Sequence, residues 1–258
     1  MFRRELLARG EVERFRMART VLGRPVYVGS CYRAGDLLVD AGPPFGAPDL
    51  RAALPERPRA VLVTHGHEDH VGGVAALGAP AFGAPGLRLA RNVPFYRRVA
   101  WGEPPPAHVA PVPAELEGRG ARLVPLPTPG HTPDHLAYWE PDRGWLFAGD
   151  AALGHLRYSM RGEDLGAYMA SLRAMRDRKP DVVFPAHGPV LDRPQEQLGA
   201  QLAHLDGLRE RARALAEQGV TDRAIARQLL GRDGWLGWAS RGEFTKAQLV
   251  RGLLEARP

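Results

Sequence analysis

The chain has 258 residues, 44% of them hydrophobic and 25% charged, with a formal net charge of +6. This is a globular composition, and it excludes a disordered chain or a coiled coil. No apolar run approaches the roughly 20 residues of a membrane span, Met1-Phe2-Arg3-Arg4-Glu5 lacks the apolar core of a signal peptide, and the lone Cys31 rules out an internal disulfide or a cysteine-based zinc finger. A soluble cytoplasmic protein with a substantial core is therefore expected. All but two of the 35 basic residues are arginine, scattered along the chain and often beside acids as in Glu210-Arg211, so charge alone is poor evidence for a nucleic-acid partner.

In chain order, Val26-Tyr27-Val28 and Leu37-Leu38-Val39 read as two strands of a hairpin that turns at residues 33–36. Residues 60–63 are a continuous apolar run, as expected of a strand buried on both faces. A helix is expected over 71–77 and a short strand at 80–83. The proline-dense stretch 103–113 reads as a loop, a lid or wall over any site. Strands follow at 122–126, 136–139, 145–148 and 182–184. A helix from about Asp164 to Arg178 carries Leu165, Met169, Leu172 and Met175 on one face. Interleaved strands and helices mean an α/β protein.

Past Pro194 the pattern becomes helical. Leu198, Leu202, Leu205, Leu208, Ala212 and Leu215 form one apolar stripe, and Gly219 ends it. Thr221 is placed to cap a shorter helix closed by Gly231, and Leu249, Val250, Leu253 and Leu254 mark a last one. Trp235 and Trp238 are expected to pack the tail against the main domain or to fill core positions. The chain divides into a catalytic domain, 1–195, and a helical C-terminal subdomain, 196–258.

The stretch Thr64-His65-Gly66-His67-Glu68-Asp69-His70 directly follows the apolar run at 60–63. Three histidines and an aspartate so placed would cost several kcal/mol if buried without partners, and a divalent cation removes that cost. Three further runs end the same way: 123–126 before Thr128-Pro129-Gly130-His131, 145–148 before Gly149-Asp150, and 182–184 before Pro185-Ala186-His187-Gly188. Sites in α/β sheets form outside the carboxyl ends of strands, so these four ends can converge on one metal centre. Five histidines and two aspartates suffice for two adjacent ions.

With these motifs the chain resembles the metallo-β-lactamase superfamily over about residues 20–192, in a form similar to hydroxyacylglutathione hydrolase. Tyr27–Tyr32 and Leu37–Gly42 look like its opening strands. The resemblance implies a four-layer αβ/βα sandwich with metals at one edge and an all-helical C-terminal appendage, with a winged-helix-like unit as the alternative reading of that appendage. It implies that His65, His67 and His131 hold one ion, that Asp69, His70 and His187 hold the other, and that Asp150 bridges them. Two divalent ions, zinc first with iron or manganese as alternatives, would make hydroxide available to attack the substrate, and Asp69 and Asp150 are its catalytic carboxylates. His135, four residues past His131, is expected to hydrogen-bond behind the ligands rather than to ligate. Asp40 is either a similar supporting group or a turn carboxylate. His155 and Tyr158 either reach substrate or are structural. His108, His204 and Cys31 read as structural.

The activity implied is hydrolysis of a small ester, thioester or lactone. The alternative is metal-dependent cleavage of single-stranded RNA, and a third reading is a DNA-binding regulator on a metal fold. No membrane partner is expected. In relatives with a similar tail, that tail shapes the substrate pocket or a homodimer interface.

Overall fold

A computed structural model describes residues 1–90 and 92–256; the last two residues of the expected tail lie outside this range. The first half builds a seven-stranded sheet, in order β1 (Phe2–Leu7), β2 (Val12–Val21), β3 (Arg24–Ala34), β4 (Leu37–Val39), β5 (Ala60–Leu62), β6 (Ala81–Gly83) and β7 (Ala110–Pro111). β1 to β4 pair antiparallel, and β4 to β7 pair parallel. Helices α1 (Ala47–Ala53), α2 (Glu68–Val71), α3 (Val74–Leu77) and α4 (Phe95–Ala100) lie in its connections. The second sheet contains β8 (Leu116–Gly118), β9 (Ala121–Pro127), β10 (Leu136–Glu140), β11 (Trp145–Gly149) and β13 (Val182–Pro185), in the order β13-β11-β10-β9-β8.

Side-chain alternation creates the layers. In β4, Leu37 and Val39 face the second sheet while Leu38 faces outward. In the next strand Leu62 faces in, and Val61 and Val63 face out. Opposite them Leu123, Tyr138, Phe147 and Phe184 close the core between the sheets. The outer face of the first sheet is covered by Leu50, Val71, Val74 and Leu77 from α1, α2 and α3. The outer face of the second takes α5 (Leu165–Asp177), α6 (Pro194–Glu217) and α9 (Lys246–Glu255), through Met169, Leu172, Leu202, Leu205 and Leu249. Two sheets between two helical layers are the sandwich expected from the resemblance, and continuous apolar strands are what burial on both faces requires.

Several expectations change in detail. The helix expected over 71–77 is broken into α2 and α3, because the Gly73 amide turns to bond the Gly42 carbonyl at 3.2 Å. The N-terminal pair β1–β2 was not foreseen. In the tail, α6, α7 (Asp222–Leu230) and α9 share a small core of Ala212, Ile225, Ala226 and Val250. Thr221 occupies the N-cap position of α7, but its side chain makes no capping hydrogen bond. A short helix α8 (Trp235–Ala239) precedes a two-residue strand, β14 (Phe244–Thr245), so the tail is helical except at this point. β14 pairs with β12 (Ser159–Met160) and ties the tail to the segment after Asp150. Among the described residues no helix is long and apolar enough to cross a membrane.

Candidate metal centre

Asp40 follows β4, the His65–His70 loop follows β5, and His131, Asp150 and His187 follow β9, β11 and β13. All of these carboxyl ends meet at one edge of the sandwich. The segment around Arg88 can pack so closely on this loop because residue 66 is glycine: a Cβ there would stand 1.9 Å from the Arg88 carbonyl oxygen. At Gly149, φ is +50° and a Cβ would come within 2.8 Å of both His135 and Thr64.

The side chains gather into two sets. His65, His67 and His131 form one, and Asp69, His70 and His187 form the other; His65, His70 and Asp150 form a third grouping between them. In the first set, His67 Nδ1 lies 3.0 Å from His65 Nε2 and 3.1 Å from His131 Nε2. In the second, His187 Nε2 lies 3.1 Å from Asp69 Oδ2. Asp150 faces both sets. Its Oδ2 is 3.3 Å from His131 Nε2, and its Oδ1 is 3.3 Å from His70 Nε2 and 3.5 Å from His187 Nε2. All seven residues expected to ligate are thus brought together.

Three of the five rings are aimed by a partner behind them. His70 Nδ1–H donates to Asp40 at 2.7 Å, His131 Nδ1–H to Glu163 at 2.7 Å, and His187 Nδ1–H to the Val28 carbonyl at 2.9 Å. These bonds leave Nε2 of all three rings as the free nitrogen pointing inward. Asp40 also accepts from the Thr64 amide and hydroxyl, and it holds a left-handed φ of +59°. It is therefore a supporting group rather than a plain turn residue. His135 is likewise behind the ligands: the Asp150 amide donates to its Nε2 at 3.1 Å, and its Nδ1 bonds Thr128 at 2.8 Å.

Burial, reinforced by neighbouring rings, pushes His65 and His67 well below the ordinary histidine pKa, and pulls His135 down to about 3. Burial also opposes charge on His70, His131 and His187. There the carboxylates win, raising His70 well above its ordinary value and His187 to about 9. Burial alone would raise Asp69 and Asp150, yet the facing histidines hold both below the usual carboxylate range. Both aspartates therefore stay anionic acceptors.

The chemistry of this donor set fits divalent metal ions. Imidazole nitrogens and carboxylate oxygens are ligands for zinc, iron or manganese. The buried atoms His70 Nε2 and Asp150 Oδ1 have no hydrogen-bond partner among the described residues, as expected of atoms reserved for a metal.

Two functional contacts were missed from sequence. Glu163 holds His131, although 32 residues separate them. Glu68, inside the histidine loop and fully buried, receives a two-pronged bond from Arg97 of α4, at 2.7 Å on each oxygen. No local pattern signals either pair. Other expectations need correction. The loop at 103–113 does not line the cleft over the metal residues. Residues 94–97 and 99–101 do, together with tail residues, and Ala107, His108 and Val109 lie beside Leu87–Leu89 instead. Trp235 and Trp238 do not pack the tail down; they are 68% and 86% exposed and line the cleft. Tyr158 also lines the cleft, whereas His155 stacks on His204 at 4.7 Å and is outside the lining.

Known proteins agree with this architecture. A Caenorhabditis elegans "Beta-lactamase-like protein 2 homolog" is 28% identical over 78% of this chain and 69% of its own. "Thioesterase pkgB" of Emericella nidulans is 38% identical over 52% of this chain, which spans little more than a third, 36%, of that protein. In structure, a beta-lactamase domain protein from Burkholderia ambifaria matches with a TM-score of 0.68 at 18% identity, over 98% of this chain and 85% of that one. The model of the family described as "Metallo-beta-lactamase superfamily" matches residues 26–187, a span that holds all seven converging side chains. The chain therefore belongs to the metallo-beta-lactamase superfamily of hydrolases.

Proposed function

We propose that the chain is a binuclear-metal-dependent hydrolase of ester or thioester bonds. One observation carries this reading: two three-residue ligand sets face the two oxygens of one buried carboxylate, Asp150, at the floor of an open cleft. His65, His67 and His131 would hold one ion, Asp69, His70 and His187 the other, with Asp150 shared and zinc the best-suited metal. When bound, the ions polarise the scissile carbonyl and bring the pKa of water toward 7. The chain's own residues do the remaining work. Asp40, Glu163 and the Val28 carbonyl keep the rings oriented. Asp69 lies on the cleft floor, anionic, and would orient the attacking water by accepting a hydrogen bond from it.

A thioester is supported by the 38%-identical relative named a thioesterase and by the apolar character of the cleft walls. Cleavage of RNA is the alternative: of the five arginines lining the cleft, Arg16 and Arg97 are paired with Glu5 and Glu68, so Arg19, Arg161 and Arg241 would have to meet the phosphates. Metal-loaded protein incubated with butyryl-N-acetylcysteamine and with end-labelled single-stranded RNA tests the reading. Chelator-sensitive thioester turnover that Asp150→Ala abolishes is expected. Cleavage of the RNA alone, lost in the same variant, would replace this reading with a nuclease.

A further inference from the structure

The cleft is far larger than a small ester needs. Its volume is about 2000 Å³, against roughly 300–1000 Å³ for pockets that hold drug-sized ligands. Its lining carries large apolar side chains that stand exposed among the described residues. On α4, Phe95 is 73% exposed and Val99 55%; on α8, Trp235 and Trp238 are exposed as given above. Single exposed apolar residues are ordinary, but four large ones lining one cleft mark a site for an apolar ligand.

Two further rings of the same cleft lining, Tyr158 and Phe244, are held in place. The Tyr158 ring stacks on Phe244 with centroids 5.5 Å apart and planes at 19°. Lys246 Nζ sits 5.3 Å from the Tyr158 ring and is held there by donating to the carbonyls of Leu230 and Arg232, each at 2.7 Å. The β12–β14 pairing, Met160 opposite Phe244, fixes this shelf to the segment that leaves Asp150. The shelf and the ligand residues His131 and Asp150 line the same cleft. A ligand that reaches the floor can therefore lay its apolar part on the aromatic wall without leaving the cleft.

We propose that the apolar lining formed by Tyr158, Phe244, Trp235 and Trp238, together with Phe95 and Val99, is the acyl subsite, and that the substrate is an ester or thioester with a large apolar acyl group. The proposal rests on the hydrolase reading for the position of the scissile carbonyl and adds the substrate class. It also replaces the small substrate expected from sequence. Continuity with the floor selects an acyl group over another protein surface as the occupant.

The experiment compares butyryl- and octanoyl-N-acetylcysteamine as substrates of the metal-loaded wild type and of Trp238→Ala and Trp238→Phe. In parallel, calorimetry measures binding of the non-hydrolysable octanoyl amide analogue. Four added methylenes, with about half of the usual burial gain realised, predict kcat/KM about fifteenfold higher for octanoyl. Trp238→Ala should lower that ratio at least about fivefold, mostly through KM, and Trp238→Phe should restore much of it. Equal turnover of both chain lengths by the wild type would overturn the acyl subsite and leave the hydrolase reading standing. If neither thioester is cleaved but the amide binds and Trp238→Ala weakens it, the subsite stands and the hydrolase reading falls. A concentration-dependent dimer that Trp238→Ala dissociates, with no chain-length effect, would assign the patch to a second copy and overturn the proposal.

Discussion

At the floor of the cleft the residues are buried and bonded twice over, whereas on its walls Phe95, Val99, Trp235 and Trp238 stand open to solvent. His70, for instance, is 1% exposed and aimed by Asp40; Trp238 is 86% exposed. The floor hangs from strand ends that the sandwich core holds rigid. The walls hang from two short helices, α4 and α8, that lean on the core at few points. Chemistry is thus built into the shared part of the fold and substrate choice into its attachments. The comparison predicts that floor variants lose metal, stability or all activity, and that wall variants change selectivity and keep their metal.

The largest effect belongs to Asp150, whose two oxygens face the two ligand sets. Asp150→Ala should lower hydrolysis by about a thousandfold or more and cost at least one bound ion, as read by kinetics and elemental analysis. Full activity in that variant would collapse the distinction between floor and wall. Next comes Glu68, fully buried against Arg97. Arg97→Ala leaves its carboxylate unpaired and should destabilise the protein by about 3–5 kcal/mol, seen in denaturant melts. Replacing both residues by apolar ones should recover most of that loss. Because Arg97 belongs to α4, this pair also fastens a wall to the floor, and the single variant should widen substrate selectivity.

A smaller change is expected from the partners behind the rings. Glu163→Gln and Asp40→Asn should each weaken metal affinity about 10–100-fold, measured by competition with a chelating dye, while the fold persists.

The mildest probe is pH, on metal-free protein. His187 has its pKa raised to about 9 against an ordinary 6.5. Its contribution is fully present below pH 6.5 and is lost as pH rises through 9. His135, lowered to about 3, works in the other direction: the unfolded chain gains a proton near 6.5 that the folded one refuses, so stability falls as pH drops from 6.5 toward 3. The metal-free melting temperature should therefore peak near pH 6.5. A melting temperature still rising at pH 9 would show that the carboxylates do not hold the proton on His187.

The floor was legible in the sequence for the same reason that it is rigid. Each ligand follows an apolar strand closely, and a run such as 60–63 has few alternatives to a buried strand. The chain ends of five strands then had one edge to share. The missed or misplaced features have different physics. Strand β2 is interleaved with Glu13, Arg14 and Arg16, so its apolar alternation of Phe15 and Met17 is hidden by charge; Glu13 and Arg14 are nevertheless buried, satisfied by Arg33 and Ser30. Glu163 and Arg97 act across long loops, where spacing carries no information. Trp235 and Trp238 have the composition of core residues, and only the three-dimensional placement of α8 shows them facing a cleft. Proline content marked 103–113 as a loop, yet Ala110–Pro111 within it form the edge strand β7, and a loop's composition does not say which side of the sheet it crosses.

The most direct test of the account is the number of metal ions per chain, measured together with thioesterase activity, in the wild type and in Asp150→Ala. Two ions in the wild type, fewer in the variant, and activity that follows the loss are the predicted result. A wild type that is fully active with one ion, or an Asp150→Ala variant that keeps two ions and full activity, would contradict a centre shared through Asp150.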